Sequence, residues 1–187
     1  VFTKGTTESI NLVANSWGQQ HLKPGDEVLI TEMEHHSNII PWQLLSKRKK
    51  IKLKYIPISH TGELELQKLE SLITKKTKLL SFTHMSNLSG IINDIKKIIT
   101  IAKKNNLLTM IDAAQSISRE KINVKKLNCD FLVFSGHKIF GPTGVGVLYG
   151  KSELLNSLPP YLGGGHMIKE VSMNSSTWAE IPFKFEA

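Results

Sequence analysis

The 187-residue sequence holds a single cysteine, Cys129, which excludes an internal disulfide and any cysteine-built metal cluster within the chain. It has no apolar run long enough to cross a bilayer and no basic-then-apolar leader at its start. The expectation is a soluble, cytoplasmic protein with no membrane partner. Acidic residues are the scarcer charge, 16 against 24 Lys and Arg, giving a formal net charge of +8. Arginine is nearly missing, at Arg48 and Arg119 alone. The lysines are scattered, with local clusters within 47–50 and at Lys75-Lys76, and no aromatic residues interleave with them. A nucleic-acid platform needs such interleaving, so a solvated lysine-rich surface is expected and no nucleic-acid partner. Internal repeats and low-complexity segments are also missing.

What is present is a 40% hydrophobic content, enough for one α/β domain with a real core. Val1 is not a methionine, VFTKG reads as a strand already under way, and PFKFEA stops without a cap. These ends set the expectation of a piece of a longer chain.

Apolar runs alternate with helical patterns along the sequence. Strands are expected at Val1–Thr3, Glu27–Thr31, Ile51–Ile58, Thr77–Thr83, Leu107–Ile111 and Phe131–Phe134, with Val145–Tyr149 as the last. Helices are expected from Gly5-Thr6-Thr7-Glu8 through Ser16, near Ile40–Arg48, near Leu66–Ile73 and near Ile95–Lys104. The threonines can cap the first of these and Glu8 can close a capping box. Near-continuous hydrophobicity in the strands points to a mostly parallel sheet flanked by helices on both faces. In such sheets ligands sit beyond the carboxyl ends of the strands. The polar clusters fall there: the Gly5-Thr6-Thr7 turn, His35, Asn87, Asp112 with Gln115, and Ser135 to Lys138.

Each residue has an ordinary reading. Lys138 suits a solvated loop, Asp112 a helix cap, Gln115 an exposed turn, and the threonines a capped helix. His35 and His36 are adjacent, and neighbours rarely point at one metal ion. A flat imidazole covering an aromatic ligand is as good a use. Together, however, the residues match one cofactor. Pyridoxal phosphate needs an anion beside its ring nitrogen, an amine for its aldehyde and donors for its phosphate. Asp112 answers the first need, Lys138 the second, and Thr7, Ser135 and His137 the third.

The stretches GTTESINLVANSWG, MEHHSNIIPWQ, THMSNLSG, IDAAQS, CDFLVFSGHKIFGPTGVGVLYG and GGGHMI, followed by FKFEA, resemble the SufS-type cysteine desulfurases. These belong to the class V aminotransferase group of fold-type-I pyridoxal-phosphate enzymes. The resemblance runs from Val1 to Ala187. It implies that the chain is the cofactor-binding large domain, lacking an N-terminal segment and a C-terminal small domain. It implies an internal aldimine at Lys138, which also moves protons, with Asp112 on the pyridine nitrogen and Gln115 on the ring's phenolic oxygen. His35 would stack on the ring and assist proton transfer, and His36 would be structural. Thr7, Ser135 and His137 would hold the phosphate, with Thr6 a further candidate. Asn87 would reach the substrate carboxylate or the ring oxygen.

The implied reaction converts L-cysteine to L-alanine, with sulfur leaving as an enzyme persulfide. A homodimer, a SufE-like acceptor and Suf scaffold proteins for iron–sulfur cluster assembly would be its partners. In that family the nucleophilic cysteine, the carboxylate-clamping arginine and a Gly-Thr pair that contacts the partner subunit's phosphate all lie beyond FEA. The fragment alone is therefore expected to be inactive, with Cys129 a buried, inert thiol. Rival readings are a selenocysteine lyase, a cysteine sulfinate desulfinase or a kynureninase-like hydrolase of the same group. A truncated, non-catalytic remnant that keeps the cofactor fold is another.

Overall fold

A computed structural model describes residues 1–187. Seven strands form one sheet: β1 (Phe2–Thr3), β2 (Glu27–Thr31), β3 (Lys52–Ile56), β4 (Thr77–Thr83), β5 (Leu108–Asp112), β6 (Phe131–Ser135) and β7 (Gly146–Gly150). Their spatial order is β1-β7-β6-β5-β4-β2-β3. Strands β2 to β6 pair in parallel, while β7 runs antiparallel to β6 and β1 antiparallel to β7. The mostly parallel sheet expected from the continuous apolar runs is the one observed.

The runs are continuous because both faces of the sheet are covered. Side chains alternate across a strand, so neighbours enter opposite cores. Val28 and Ile30, Leu79, Met110, and Phe131 with Val133 join one apolar cluster. Leu29, Leu80 with Phe82, Ile111 and Leu132 join the other. Helices α1 (Thr6–Val13) and α2 (Ile40–Lys49) close the first side with Ile10, Leu12, Trp42 and Leu45. On the second side lie α3 (Leu69–Leu72) and α4 (Ile95–Lys104). Helix α4 turns Ile95, Ile98, Ile99 and Ala102 inward, and Asp94 caps it by accepting from Lys97 N–H at 3.0 Å. Two short helices, α5 (Val124–Leu127) and α6 (Ser152–Ser157), complete the layers. No helix is long and apolar enough to cross a membrane.

Three expectations need correction. The first helix does not stop at Ser16: it widens into a π-turn over Ala14–Gly18 and continues to His21. Trp17 and Leu22, both buried, hold this extension against the core. The segment expected as a helix over Leu66–Ile73 is a 3-10 turn, Leu66–Lys68, followed by the single turn of α3. Nor is β7 the last strand, because β8 (Ile168–Val171) and β9 (Ser176–Trp178) form a separate antiparallel hairpin. Every residue of both strands is exposed. The hairpin is held by its ladder and by a turn in which Ser175 N–H donates to Ser172 Oγ at 3.0 Å. Without a buried face it leaves no alternating pattern to read.

Candidate active site

The parallel strands deliver their carboxyl ends to one edge of the sheet. Around the β2–β4 junction the chain order switches direction, and a crevice opens there. It holds a cavity of about 220 Å³, sized for one small ring-bearing ligand. Each of the nine residues singled out from the sequence lines it: Thr6 and Thr7 from α1, His35 after β2, and Asn87 after β4. Asp112 and Gln115 come from β5 and its exit, and Ser135, His137 and Lys138 from β6 and the turn beyond.

At one end stands the N-terminus of α1, whose free N–H groups favour an anion. The expected threonine cap is not what satisfies it. Gly5 caps without a side chain, and the hydroxyl comes from 129 residues away: Thr6 N–H donates to Ser135 Oγ at 2.8 Å. The Thr6 hydroxyl meets the same Ser135 oxygen at 2.8 Å. Thr6, the further phosphate candidate, is thus buried at the junction, while Thr7 is exposed and bonded through Oγ1 to Ser37 Oγ at 2.7 Å. Glu8 does reach back, accepting from Lys4 N–H at 2.6 Å.

The close fit of α1 depends on glycine. Thr3 pairs with Gly146 of β7, and a Cβ on Gly146 would stand 2.4 Å from Gly5 Cα. Only a hydrogen at Gly146 lets the strand and the helix start touch.

Asp112 is 4% exposed at the cavity floor. Its Oδ1 accepts from Ala114 N–H at 2.9 Å, and no protein donor meets Oδ2. Burial pushes its carboxyl above the usual range, while the Ala114 bond and the positive fields of His35 and Lys138 pull it down. An added cation beside Oδ2 would favour the carboxylate further. Lys138 rides a 3-10 turn, Gly136–Ile139, that closes when Gly141 N–H bonds Gly136 O at 2.9 Å. The lysine is half-buried and enters no ion pair, so its amine faces the cavity uncommitted. His35 accepts from Ser37 N–H through Nδ1 at 3.1 Å, which puts the ring proton on Nε2.

Sequence reasoning missed Ser37, which ties the His35 loop to Thr7, and Thr83 with Met85 on the cavity wall. It also missed a buried network beneath. Glu34 accepts through Oε2 from Asn38 Nδ2 at 2.7 Å, and through Oε1 from Thr83 N–H at 2.8 Å and the Thr31 hydroxyl. Asn38 Oδ1 in turn accepts from Trp42 Nε1 at 3.0 Å and Ser81 Oγ at 2.7 Å. In EHHSN, then, the flanking Glu and Asn are core residues, while His35 and Ser37 line the cavity. That letter pattern reads as a polar loop.

Burial pushes the Glu34 carboxyl up to about 8; its three hydrogen bonds oppose the shift and the negative field of Asp112 adds to it. A group near 4.5 when unfolded and about 8 when folded binds its proton more tightly in the native state. Its stabilisation is full below pH 4.5 and is lost as pH rises through 8. The stability advantage of wild type over Glu34→Gln should therefore shrink between pH 5 and 8, by at most about 1.4 kcal/mol per pH unit. Urea unfolding at four pH values measures this; a gap constant with pH would rule out a proton held at Glu34.

The whole chain, residues 1–187, matches the family described as aminotransferase class-V. It is 54% identical to a cysteine desulfurase of Wigglesworthia glossinidia brevipalpis, over 100% of this chain and 46% of that relative. Its fold superposes with a TM-score of 0.97 on the Escherichia coli cysteine desulfurase CsdA, at 42% identity, covering 100% of this chain and 47% of that one. A structure of a C-DES mutant with glycine covalently linked to its PLP cofactor aligns at TM-score 0.89 and 26% identity, over 100% and 50%. The chain spans about half the length of these proteins. With a match that runs from the first residue to the last, the chain belongs to the aminotransferase class-V family.

Proposed function

We propose that this chain is the cofactor-binding part of a pyridoxal-phosphate-dependent cysteine desulfurase, converting L-cysteine to L-alanine. One observation carries the reading: Asp112 and Lys138 face a single cavity whose far end is the donor-rich start of α1. The donor set fits the cofactor. Thr6, Thr7, Ser135 and His137 offer hydroxyls and N–H groups to a phosphate, and Asp112 Oδ2 is left for a protonated ring nitrogen. Gln115 and Asn87 stand on the same wall for a ring oxygen or a substrate carboxylate.

When bound, pyridoxal phosphate supplies an aldehyde for an amine and a ring that draws electrons from the substrate's Cα. The chain's residues do the rest. Lys138 Nζ, uncommitted at the cavity, takes or gives a proton there. His35 presents Nε2–H and a flat ring. The Asp112 carboxylate keeps a facing nitrogen protonated.

Sulfur acceptance is a different matter. Cys129 is wholly buried, and burial with the neighbouring Asp130 charge pushes its thiol up to about 11. It is no thiolate nucleophile at neutral pH. We assign the persulfide step, the homodimer, and delivery to a SufE-like acceptor for iron–sulfur assembly in the cytoplasm to a longer protein of which this chain would be one part. The test is to load the chain with pyridoxal phosphate and add L-cysteine. The expected result is retained cofactor and an optical change, without accumulating alanine. Steady alanine production would overturn this division of labour, and a folded chain that retains no cofactor would overturn the reading itself.

A further inference from the structure

Glu34 neither lines the cavity nor faces solvent, yet its surroundings specify a carboxyl group. Trp42 Nε1 can only donate, and it commits Asn38 Oδ1, which also takes the Ser81 hydroxyl. The Asn38 amide nitrogen is thereby forced to face Glu34 Oε2. The backbone N–H of Thr83, another pure donor, faces Oε1. Donors thus converge on both terminal atoms of residue 34. A carboxyl accepts on both, but an amide would set its NH₂ against one donor whichever way it turned.

This clamp joins the parts that the cofactor would touch. His35 follows Glu34 directly in the chain. Thr83 lines the cavity and pairs in register with Asp112. We propose that Glu34 is a positioning residue of the cofactor site, fixing the His35 loop to the end of β4 beside Asp112. The inference rests on the cavity being a pyridoxal-phosphate site.

The test is a swap of donor and acceptor. Pyridoxal phosphate is titrated into wild type, Glu34→Gln, Asn38→Asp and the double variant, with dissociation constant, bound-cofactor spectrum and apo thermal midpoint as readouts. In Glu34→Gln one buried donor loses its acceptor, and the dissociation constant should rise roughly tenfold with a changed spectrum. In the double variant the new amide donates to the new carboxylate, which still accepts from Trp42 and Ser81. Binding and spectrum should return to within about threefold of wild type. If Glu34→Gln does not fold, recovery in the double variant still supports the clamp. A Glu34→Gln protein that binds like wild type, or a double variant no better than the single, would overturn it. A folded wild type that retains no cofactor overturns the functional reading and this inference together, whereas an unaffected variant of a binding wild type removes the inference alone.

Discussion

Lys138→Ala should abolish covalent capture of pyridoxal phosphate while leaving the fold intact. The chain offers abundant surface lysines, each able to react weakly with an aldehyde, so uptake alone does not discriminate. Reduction with borohydride and peptide mapping does. In wild type the label should concentrate on the peptide carrying Lys138, where the Gly136–Ile139 turn holds the amine beside Asp112 and the α1 donors. In Lys138→Ala that peptide should carry none, and the visible band of the bound cofactor should vanish. Apo stability should move by no more than about 0.5 kcal/mol, because the side chain is half-buried and makes no ion pair. Label spread evenly over the lysines of a folded wild type would show that the cavity does not select this amine.

The positions of these groups were legible because a parallel sheet announces itself. Runs such as FLVF and LTMI are apolar on both faces, and the residues just past the end of each run must lie at the same edge. Lys138, Asp112 and His35 could therefore be gathered from the sequence without knowing the strand order. Their neighbours could not. Ser135 caps a helix that begins 129 residues earlier, a contact that no local pattern encodes. Glu34 and Asn38 look like loop residues because a buried polar network has no hydrophobic period, only complementary donors and acceptors that emerge once the backbone is placed. Helix α3 shrank to one turn for a different reason: local amphipathicity was outweighed by packing, since Leu69 alone of its residues is fully buried in the core. The exposed hairpin β8–β9 is stabilised by backbone pairing, to which hydrophobic periodicity is blind.

Gly146→Ala should be among the most damaging substitutions in the chain, although it adds only a methyl group. That methyl would lie 2.4, 2.6 and 2.7 Å from three backbone atoms of Gly5, none of which can rotate away. Relief requires β1 to slide off β7 or the start of α1 to lift. Either motion pulls Thr6 N–H from Ser135 Oγ and opens the donor cluster at the helix end. Overpacking against a flexible side chain costs about 1–3 kcal/mol, and against backbone the upper end or more is expected. The same shift should weaken pyridoxal phosphate binding, because the phosphate donors and the clash share one backbone turn. Gly163→Ala is the control: nothing lies within 4 Å of its Cβ position, so stability should stay within about 0.5 kcal/mol. Urea unfolding and cofactor titration on both variants test the pairing of the two losses. Loss of stability with undiminished binding would separate the β1–β7 contact from the anion cradle. Loss of both in Gly146→Ala alone would mean that the sheet edge itself builds the donor end of the site.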